Sequence, residues 1–389
     1  MKYFPGLTTI VCVVSIFVNC MRVKKSTFDI TEVEGLAFST FLSSSLKQKY
    51  FLLILGGNTT KTAIYDPVLE DLRAGPDLTS AAGLGASGFL IQSGPHKGKI
   101  FIVHGGGSFT SSIYDPANEN MTGGLNMPAS TAVNDGGQNL TVSSGLNGGK
   151  QFIIHAGGLT AVSVYDHSLH SLTAGSAYTS GPNTGGQVFN GLNGNFRTVL
   201  GSGGNGTELY NATTGLFGAG LNLAGGTAGA GGNNFLVTAG AAVGQQMVIH
   251  GGNANAYSLY DPVTDMYPSS GSLIPCASGN VGSGGGNFAI SGGPLAGQTI
   301  IIVAGGTSST CAYSHTANAF STGPVLTNIV SNKSSTYQFS SGTFLGKILV
   351  IHGTGTATSF FNPVSGQFET GLALPALSGS GNFIVEYSK

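Results

Sequence analysis

The sequence predicts an all-β fold in which one structural unit is repeated seven times. Of its 389 residues, 64 are Gly, about twice the usual share, and 8% are charged, about a third of the usual share. Hydrophobic residues reach 41%, whereas disordered chains have low hydrophobicity and high net charge. This composition is typical of short strands joined by tight turns.

Each repeat consists of a hydrophobic run, a glycine pair and an aromatic residue, in that order. The aromatic residues are Tyr65, Tyr114, Tyr165, Tyr210, Tyr260, Tyr313 and Phe361. The glycine pairs are Gly56-Gly57, Gly105-Gly106, Gly157-Gly158, Gly203-Gly204, Gly251-Gly252 and Gly305-Gly306, and the seventh copy has Gly353-Thr354-Gly355. Another large apolar residue follows each aromatic at a constant spacing: Leu72, Met121, Leu172, Phe217, Tyr267, Phe320 and Phe368. Such self-similarity predicts a repeat architecture.

Each copy predicts one four-stranded sheet, with strands a to d in chain order. Strand b is the hydrophobic run, strand c ends near the aromatic residue, and strand d follows an Asp- or Asn-centred turn. Between the seven b-c-d units lie six a strands, and residues 381–385 form another with no strand b after it. We expect this segment to pair with residues 51–55 and close the ring, which removes a sheet edge. The alternative is that residues 36–42 supply the first strand a.

The repeat resembles the kelch repeat of β-propellers over about residues 48–387. The resemblance implies a seven-bladed kelch-like β-propeller, which we assign to residues 48–389. Kelch repeats carry a Trp, but this chain has none, so the residues that follow each aromatic occupy its place as smaller wedges between blades. Kelch-like proteins commonly bind partners with the face that carries the b–c loops and d–a links.

The N-terminus predicts export and lipidation. Lys2 precedes the apolar run 7–18, which is too short to span a bilayer and fits a signal peptide of residues 1–19. Cys20 at the end of this run resembles a bacterial lipobox, in a loose form similar to that of spirochaete lipoproteins. The resemblance implies an acylated Cys20 anchored to the outer membrane or cell surface. Residues 20–47 then form a polar tether; the alternative is an ordinary signal peptide with an incidental Cys.

Three histidines, His104, His250 and His352, lie beside the repeated glycines, and His155 lies one residue further from its glycine pair. Equivalent positions on different blades are spread around a wide ring, so they cannot share one zinc ion, whose ligands lie about 2.0–2.1 Å from the metal. We therefore expect structural histidines, no metal and no cofactor. Asp66, Asp115, Asp166 and Asp261 are explained by turns. Because no convergent catalytic set is recognisable, we expect no enzymatic activity.

The remaining candidates lie on or near the loops. Cys276 and Cys311 could form a disulfide in an exported protein, although two buried thiols are equally compatible with their positions. Phe109, Asp135 and Tyr257 are candidate ligand-binding residues.

Three classes of function compete. The first is binding of a protein or extracellular-matrix ligand, the second is glycan binding or a galactose-oxidase-like activity on carbohydrates, and the third is an envelope spacer. We expect the first. Between Lys99 and Lys333 the basic residues are only Lys150 and Arg197, which excludes a groove that binds nucleic-acid phosphates.

Overall fold

The computed structural model describes residues 48–128, 131–135, 137–184, 186–252, 254–273, 281–282, 285–330, 334–340 and 342–389. All of them belong to one compact unit, Gln48–Lys389. The predicted signal peptide, Cys20, the tether and the alternative first strand lie outside the described residues. Within the described part of the chain, no helix is both long enough and apolar enough to cross a membrane.

The described residues form 28 strands in seven four-stranded antiparallel sheets, which we call blades. Blade 1 contains β1 (Lys49–Ile54), β2 (Thr62–Asp66) and β3 (Asp71–Ala74), and is completed by β28 (Phe383–Ser388). Blade 2 contains β4 (Ser87–Leu90), β5 (Ile100–Val103), β6 (Ser111–Asp115) and β7 (Asn120–Gly123). Blade 3 contains β8 (Gln138–Thr141), β9 (Gln151–Ile154), β10 (Val162–Asp166) and β11 (Ser171–Ala174). Blade 4 contains β12 (Gln187–Asn190), β13 (Phe196–Val199), β14 (Thr207–Asn211) and β15 (Leu216–Ala219). Blade 5 contains β16 (Asn233–Leu236), β17 (Gln246–Ile249), β18 (Ala256–Asp261) and β19 (Met266–Ser272). Blade 6 contains β20 (Gly286–Ile290), β21 (Gln298–Ile302), β22 (Thr310–Ser314) and β23 (Ala319–Thr322). Blade 7 contains β24 (Ser335–Gln338), β25 (Ile348–Ile351), β26 (Thr358–Asn362) and β27 (Gln367–Thr370).

The C-terminal strand closes the ring, as the repeat count predicts. The sheet of blade 1 has the order β28-β1-β2-β3, and Leu53 lies opposite Ile384. The pairing extends from Ile54 and Phe383 to Lys49 and Ser388, so the strand continues three residues beyond the predicted end. β28 occupies the place that the alternative assigned to residues 36–42. The fold is therefore a seven-bladed β-propeller.

The repeated aromatic and apolar residues form cross-strand pairs. Tyr114 on strand c lies opposite Ile100 on strand b and Met121 on strand d. The same register holds in every blade except blade 5, where the pairing of β18 with β19 shifts near Tyr260. A side chain in this position faces the neighbouring blade, because residues along a strand alternate between the two faces of the sheet.

The hydrophobic core of the described residues is divided into seven clusters, one at each contact between neighbouring blades. At the contact of blades 1 and 2, Leu52 and Ile64 pack with Ile102 and Tyr114, and Met121 packs partly buried against them. The large apolar residues that follow the repeated aromatics pack at the blade contacts in this way: Leu72, Met121, Leu172, Phe217, Tyr267, Phe320 and Phe368. Each blade thus depends on its neighbours for burial.

Candidate functional site

The antiparallel blades place two kinds of connection at each end of the ring. One end, which we call the loop face, carries the b–c loops and the d–a links between blades. The other, the turn face, carries the a–b loops and the c–d turns. On the loop face, isolated backbone bridges join the b–c loop of one blade to the link that leads into the next, as between Thr59 and Ala82 or Ser108 and Val133.

The glycine pair organises these links. Gly105, Gly106 and Gly107 have φ of +64°, +61° and +83°, a left-handed conformation that Gly adopts at little cost. The N–H of Gly106 donates to Leu84 O (2.7 Å), in the link into the same blade. The N–H of Gly107 donates to Val133 O (2.9 Å), in the link into the next blade. One left-handed run therefore ties two successive links together.

Space as well as conformation requires glycine here. A Cβ atom on Gly105 would lie 2.3 Å from Ala86 N, and one on Gly251 would lie 2.2 Å from Gly232 N. The same double tie recurs around the ring, with these donors and acceptors: Gly57 to Ser380 and Asn58 to Ala82; Gly157 to Asp135 and Gly158 to Pro182; Ser202 to Thr184 and Gly203 to Ala228. The loop face is thus fixed by a nearly continuous chain of backbone hydrogen bonds.

In blade 4 the left-handed run is offset from the glycine pair that the sequence indicates. The run consists of Gly201, Ser202 and Gly203, whereas Gly204 is outside the left-handed set. Gly204 instead forms a backbone bridge with Ala228. The sequence alone placed the tight turn at the Gly203-Gly204 dipeptide. Ser202 nevertheless takes a left-handed conformation, because its position in the loop requires one.

The four histidines beside the glycine runs are fully buried and bonded within their own blades. His104 Nε2 lies 2.7 Å from Ser112 Oγ, which joins the end of strand b to strand c. The equivalent pairs are His155 with Ser163, His250 with Ser258, and His352 with Ser359. Burial lowers the pKa of each histidine to about 4, so each is neutral at physiological pH. These positions give the histidines a structural role in the blade.

Blade 4 replaces the histidine–serine pair with a buried carboxylate that sequence reasoning missed. Leu200 stands in the histidine position, and Glu208 stands in the serine position and is fully buried. Glu208 accepts hydrogen bonds from the Thr179 N–H (2.9 Å) and hydroxyl (2.6 Å) and from the Ser180 N–H. The link into blade 4 is therefore held by a charge-assisted contact. A carboxylate inside strand c, where four other blades have Ser, was the available signal.

Arg197 is a second buried charge that sequence reasoning did not single out. It lies on strand b of blade 4, at a position that other blades fill with apolar residues such as Leu52. Its guanidinium bonds to Asp265 of blade 5 and to Thr207 Oγ1 (2.8 Å), and lies 4.8 Å from the Tyr260 ring centroid. This cluster joins blades 4 and 5, and it extends from Asp265 in the c–d turn of blade 5 to Thr207 at the start of β14.

Two of the three candidate ligand-binding residues lie near each other. Phe109 is 40% exposed in the b–c loop of blade 2, and Asp135 is half-buried in the link into blade 3. The bridge between Ser108 and Val133 holds these segments side by side. Tyr257, however, is in β18 rather than in a loop, and its ring packs 5.2 Å from that of Phe320. It therefore belongs to the contact between blades 5 and 6, because strand c begins earlier than its polar neighbours suggest.

Of the two cysteines in the propeller sequence, the structure describes Cys311 but not Cys276. Cys311 is fully buried on β22 and is disulfide-bonded. Cys276 lies outside the described residues, so the proposed pairing of the two stays a prediction. In the described part of the chain, no group of three or more His, Cys, Asp or Glu residues is placed to hold a metal ion.

The loop face carries very little charge. Within the described b–c loops and d–a links, the Asp, Glu, Lys and Arg residues are Lys61, Asp77 and Asp135. Lys61 and Asp77 form an exposed ion pair of 2.8 Å. The rest of this surface consists of Gly, Ser, Thr, Asn, Ala and scattered apolar residues. It can offer hydrogen bonds and close backbone approach, but little attraction for a charged ligand.

Comparisons with known proteins assign the chain to no family. No family model matches the chain, and no curated protein matches it. Among solved structures, a novel fungal alcohol oxidase of the AA5 family, in complex with copper, is similar at a TM-score of 0.49 and 12% identity; the match covers 84% of this chain and 65% of the oxidase chain. A chain of the mitotic checkpoint complex is similar at a TM-score of 0.45 and 11% identity, covering 72% and 76% of the two chains. Membership of the kelch family remains an interpretation of the repeat.

Proposed function

We propose that this protein is a non-enzymatic lipoprotein of a bacterial envelope that binds another protein or an extracellular-matrix component through its loop face. The observation that carries the proposal is the construction of that face: seven sets of loops tied to one another by backbone hydrogen bonds, with an almost uncharged exposed surface. Export and lipid attachment at Cys20 are part of the proposal and depend on the N-terminal sequence.

Rigid loops favour binding, because little conformational entropy is lost when a partner binds to loops that are already ordered. The first residue of each left-handed run is buried, whereas later ones such as Gly106 and Gly107 are exposed. A ligand can therefore approach the backbone closely. Phe109 adds a large apolar side chain at the junction of blades 2 and 3, of the kind that anchors protein interfaces.

The scarcity of charge predicts how the ligand is bound. Electrostatic steering raises association rates and makes them depend on salt. Since Lys61 and Asp77 neutralise each other, we expect association without such steering and an affinity that changes little with ionic strength. Hydrogen bonds and bridging water would supply much of the contact.

The chemistry of the histidines supports a binding role over catalysis. The Nε2 atoms of His104 and its three counterparts are bonded inside the blades. A general base needs a ring nitrogen within reach of the substrate. These groups instead stabilise the loop face from beneath.

A binding screen tests the proposal. The soluble chain would be applied to a panel of extracellular-matrix proteins and to a glycan array, at 50 and 500 mM salt. A protein ligand whose affinity is unchanged by salt and is lost in Phe109→Ser supports the proposal. The matched control is Leu169→Ser, which removes an exposed aliphatic side chain from the turn face. Binding of glycans alone, or equal loss in both variants, would contradict it.

Lipid attachment needs its own test. Cells expressing the wild-type chain or Cys20→Ala would be labelled with a radioactive fatty acid. Label on the wild type alone is expected, because acylation requires the Cys20 thiol. Equal labelling of both chains would exclude attachment at Cys20.

A further inference from the structure

The turn face carries a belt of exposed aliphatic side chains. Three of its c–d turns place valine at the tip, where Val68, Val263 and Val364 are 63%, 77% and 83% exposed. Each valine follows an Asp or Asn whose side chain accepts its N–H, as Asp66 Oδ1 does for Val68 (2.9 Å). The hydrogen-bonded turn therefore holds the valine side chain in a position exposed to solvent.

The a–b loops add further aliphatic residues beside these turns. The a–b loops of blades 2, 3, 5, 6 and 7 pack against the c–d turn of the next blade, as where Leu146 N donates to Ala212 O (2.9 Å). A Cβ atom on Gly342 would lie 2.1 Å from Pro67 O, which shows the same close packing of blade 7 against blade 1. Loop and turn together present one surface at each junction.

All six junctions that have an a–b loop carry at least one exposed aliphatic residue among the described residues. The members of this apolar belt, from the junction of blades 2 and 3 onward, are Leu169; Leu146; Leu192 and Val263; Val243; Val364; and Val68, Leu69 and Leu345. Exposed apolar residues that form a pattern of this size mark an interaction surface, whereas single ones need no explanation.

The termini of the described chain lie at the junction that lacks an a–b loop. Lys389 N donates to Gln48 O (3.1 Å), and Lys389 Nζ lies 3.0 Å from Glu119 in the c–d turn of blade 2. The chain thus enters the propeller on the turn face. If Cys20 is acylated as proposed above, the segment that leads from the lipid joins the propeller at the turn face, and the loop face lies at the other end of the ring.

We propose that the apolar belt contacts the surface of a lipid bilayer. This inference rests on the proposed lipid anchor for the choice of occupant, and it gives the propeller an orientation in which the loop face points away from the membrane. Nine aliphatic side chains spread around the face would enter the boundary between headgroups and acyl chains together.

The charges of the turn face favour an electrically neutral bilayer. Lys99 is paired with Asp115 (2.9 Å), Lys150 with Asp166 (3.7 Å) and Lys347 with Glu369 (2.6 Å). These three cations are already compensated, and Lys97 is the one exposed lysine of the described a–b loops that forms no ion pair. A single free cation offers little to anionic headgroups, whose attraction needs clustered free Lys and Arg. We therefore expect the belt to bind phosphatidylcholine vesicles without added anionic lipid.

The experiment uses the chain from residue 20 onward with Cys20→Ser, so that no lipid is attached. Its partition onto phosphatidylcholine vesicles would be measured by sedimentation. The test variant combines Val68→Ser, Leu69→Ser and Leu345→Ser at the junction of blades 7 and 1. The matched control combines Val325→Ser, Ile329→Ser and Leu377→Ser, which are similarly exposed on the loop face. Thermal unfolding of each variant verifies that the fold is retained.

We expect the parent chain to partition onto vesicles, the turn-face variant to lose at least tenfold in partition coefficient, and the control to stay within twofold. Absence of partition in the parent, or equal loss in both variants, would overturn the inference. Self-association of the parent that disappears in the turn-face variant would also overturn it, since the belt would then join two copies. Fatty-acid labelling at Cys20 is independent of these outcomes, so failure of the anchor and failure of the belt can be told apart.

Discussion

Removal of the C-terminal strand should unfold the whole propeller. Truncation after Gly379 deletes β28, which supplies strand a of blade 1 and pairs with β1 from Ile54 to Lys49. It also removes Tyr387, whose ring is buried between blades 1 and 2 and whose hydroxyl lies 3.0 Å from that of Tyr114. The loss therefore affects a sheet and a contact between blades at the same time.

The magnitude follows from burial and hydrogen bonding. A buried aromatic side chain removes about 150–250 Å² from water, which at about 25 cal/mol per Å² corresponds to about 4–6 kcal/mol for Tyr387. Six residue pairs of β-ladder are lost as well, at about 0.5–1.5 kcal/mol per hydrogen bond. The sum approaches about 10 kcal/mol, which is comparable with the total stability of an ordinary domain.

Urea unfolding, followed by circular dichroism, would measure the effect on a graded series. Tyr387→Phe removes only the hydroxyl contact with Tyr114 and should cost about 1 kcal/mol. Tyr387→Ala should cost about 3–5 kcal/mol, and truncation after Gly379 should leave no cooperative transition. Deletion of residues 21–45 should leave the midpoint unchanged, because β28 already provides the first strand a.

A truncated chain that unfolds cooperatively at nearly the wild-type midpoint would refute this reasoning. It would mean that blade 1 is stable with three strands and that neighbouring blades do not depend on its completion. Loss of the transition on deletion of residues 21–45 would refute it from the other side.

Three further predictions concern the loop face. Because burial gives His104 a pKa of about 4, below about 6.5 in the unfolded chain, the stability that depends on its neutral form is complete above pH 6.5 and is lost as the pH falls towards 4. Acidification should lower the free energy of unfolding by roughly 3 kcal/mol for each such histidine, and urea midpoints between pH 7 and 4 would measure the loss. Midpoints that do not change with pH would contradict the buried neutral state. Gly105→Ala should destabilise the fold by at least about 2 kcal/mol more than Gly98→Ala, since both positions are left-handed but only Gly105 lacks room for a Cβ; equal thermal shifts would contradict the steric argument. Glu208→Ala should cost about 3 kcal/mol in urea unfolding because it leaves the Thr179 and Ser180 N–H groups without their acceptor, and Glu208→Gln should cost less; a neutral Glu208→Ala would show that the link is held by other contacts.

The candidate site was predictable only where it repeats. Left-handed glycine runs have a recognisable spacing, whereas Ser202, Arg197 and Glu208 are departures of blade 4 from the repeat. Their roles depend on neighbours far apart in the chain, such as Asp265 for Arg197. Tyr257 was wrongly predicted to be a ligand-binding residue because it lies near a polar loop in the sequence. Its ring instead packs against Phe320 of the next blade.

The sequence by itself determined the number of blades, the strand order within each blade and the closure by the C-terminal strand. These follow from local rules, because alternation, glycine spacing and turn residues act within about 50 residues and are repeated seven times. Only the tertiary structure decided that the glycine runs tie successive links together and that exposed aliphatic residues gather on the turn face. Both depend on loops from neighbouring blades meeting at one end of the ring. That contact is fixed by how the sheets pack against one another, which the local pattern within each repeat does not specify.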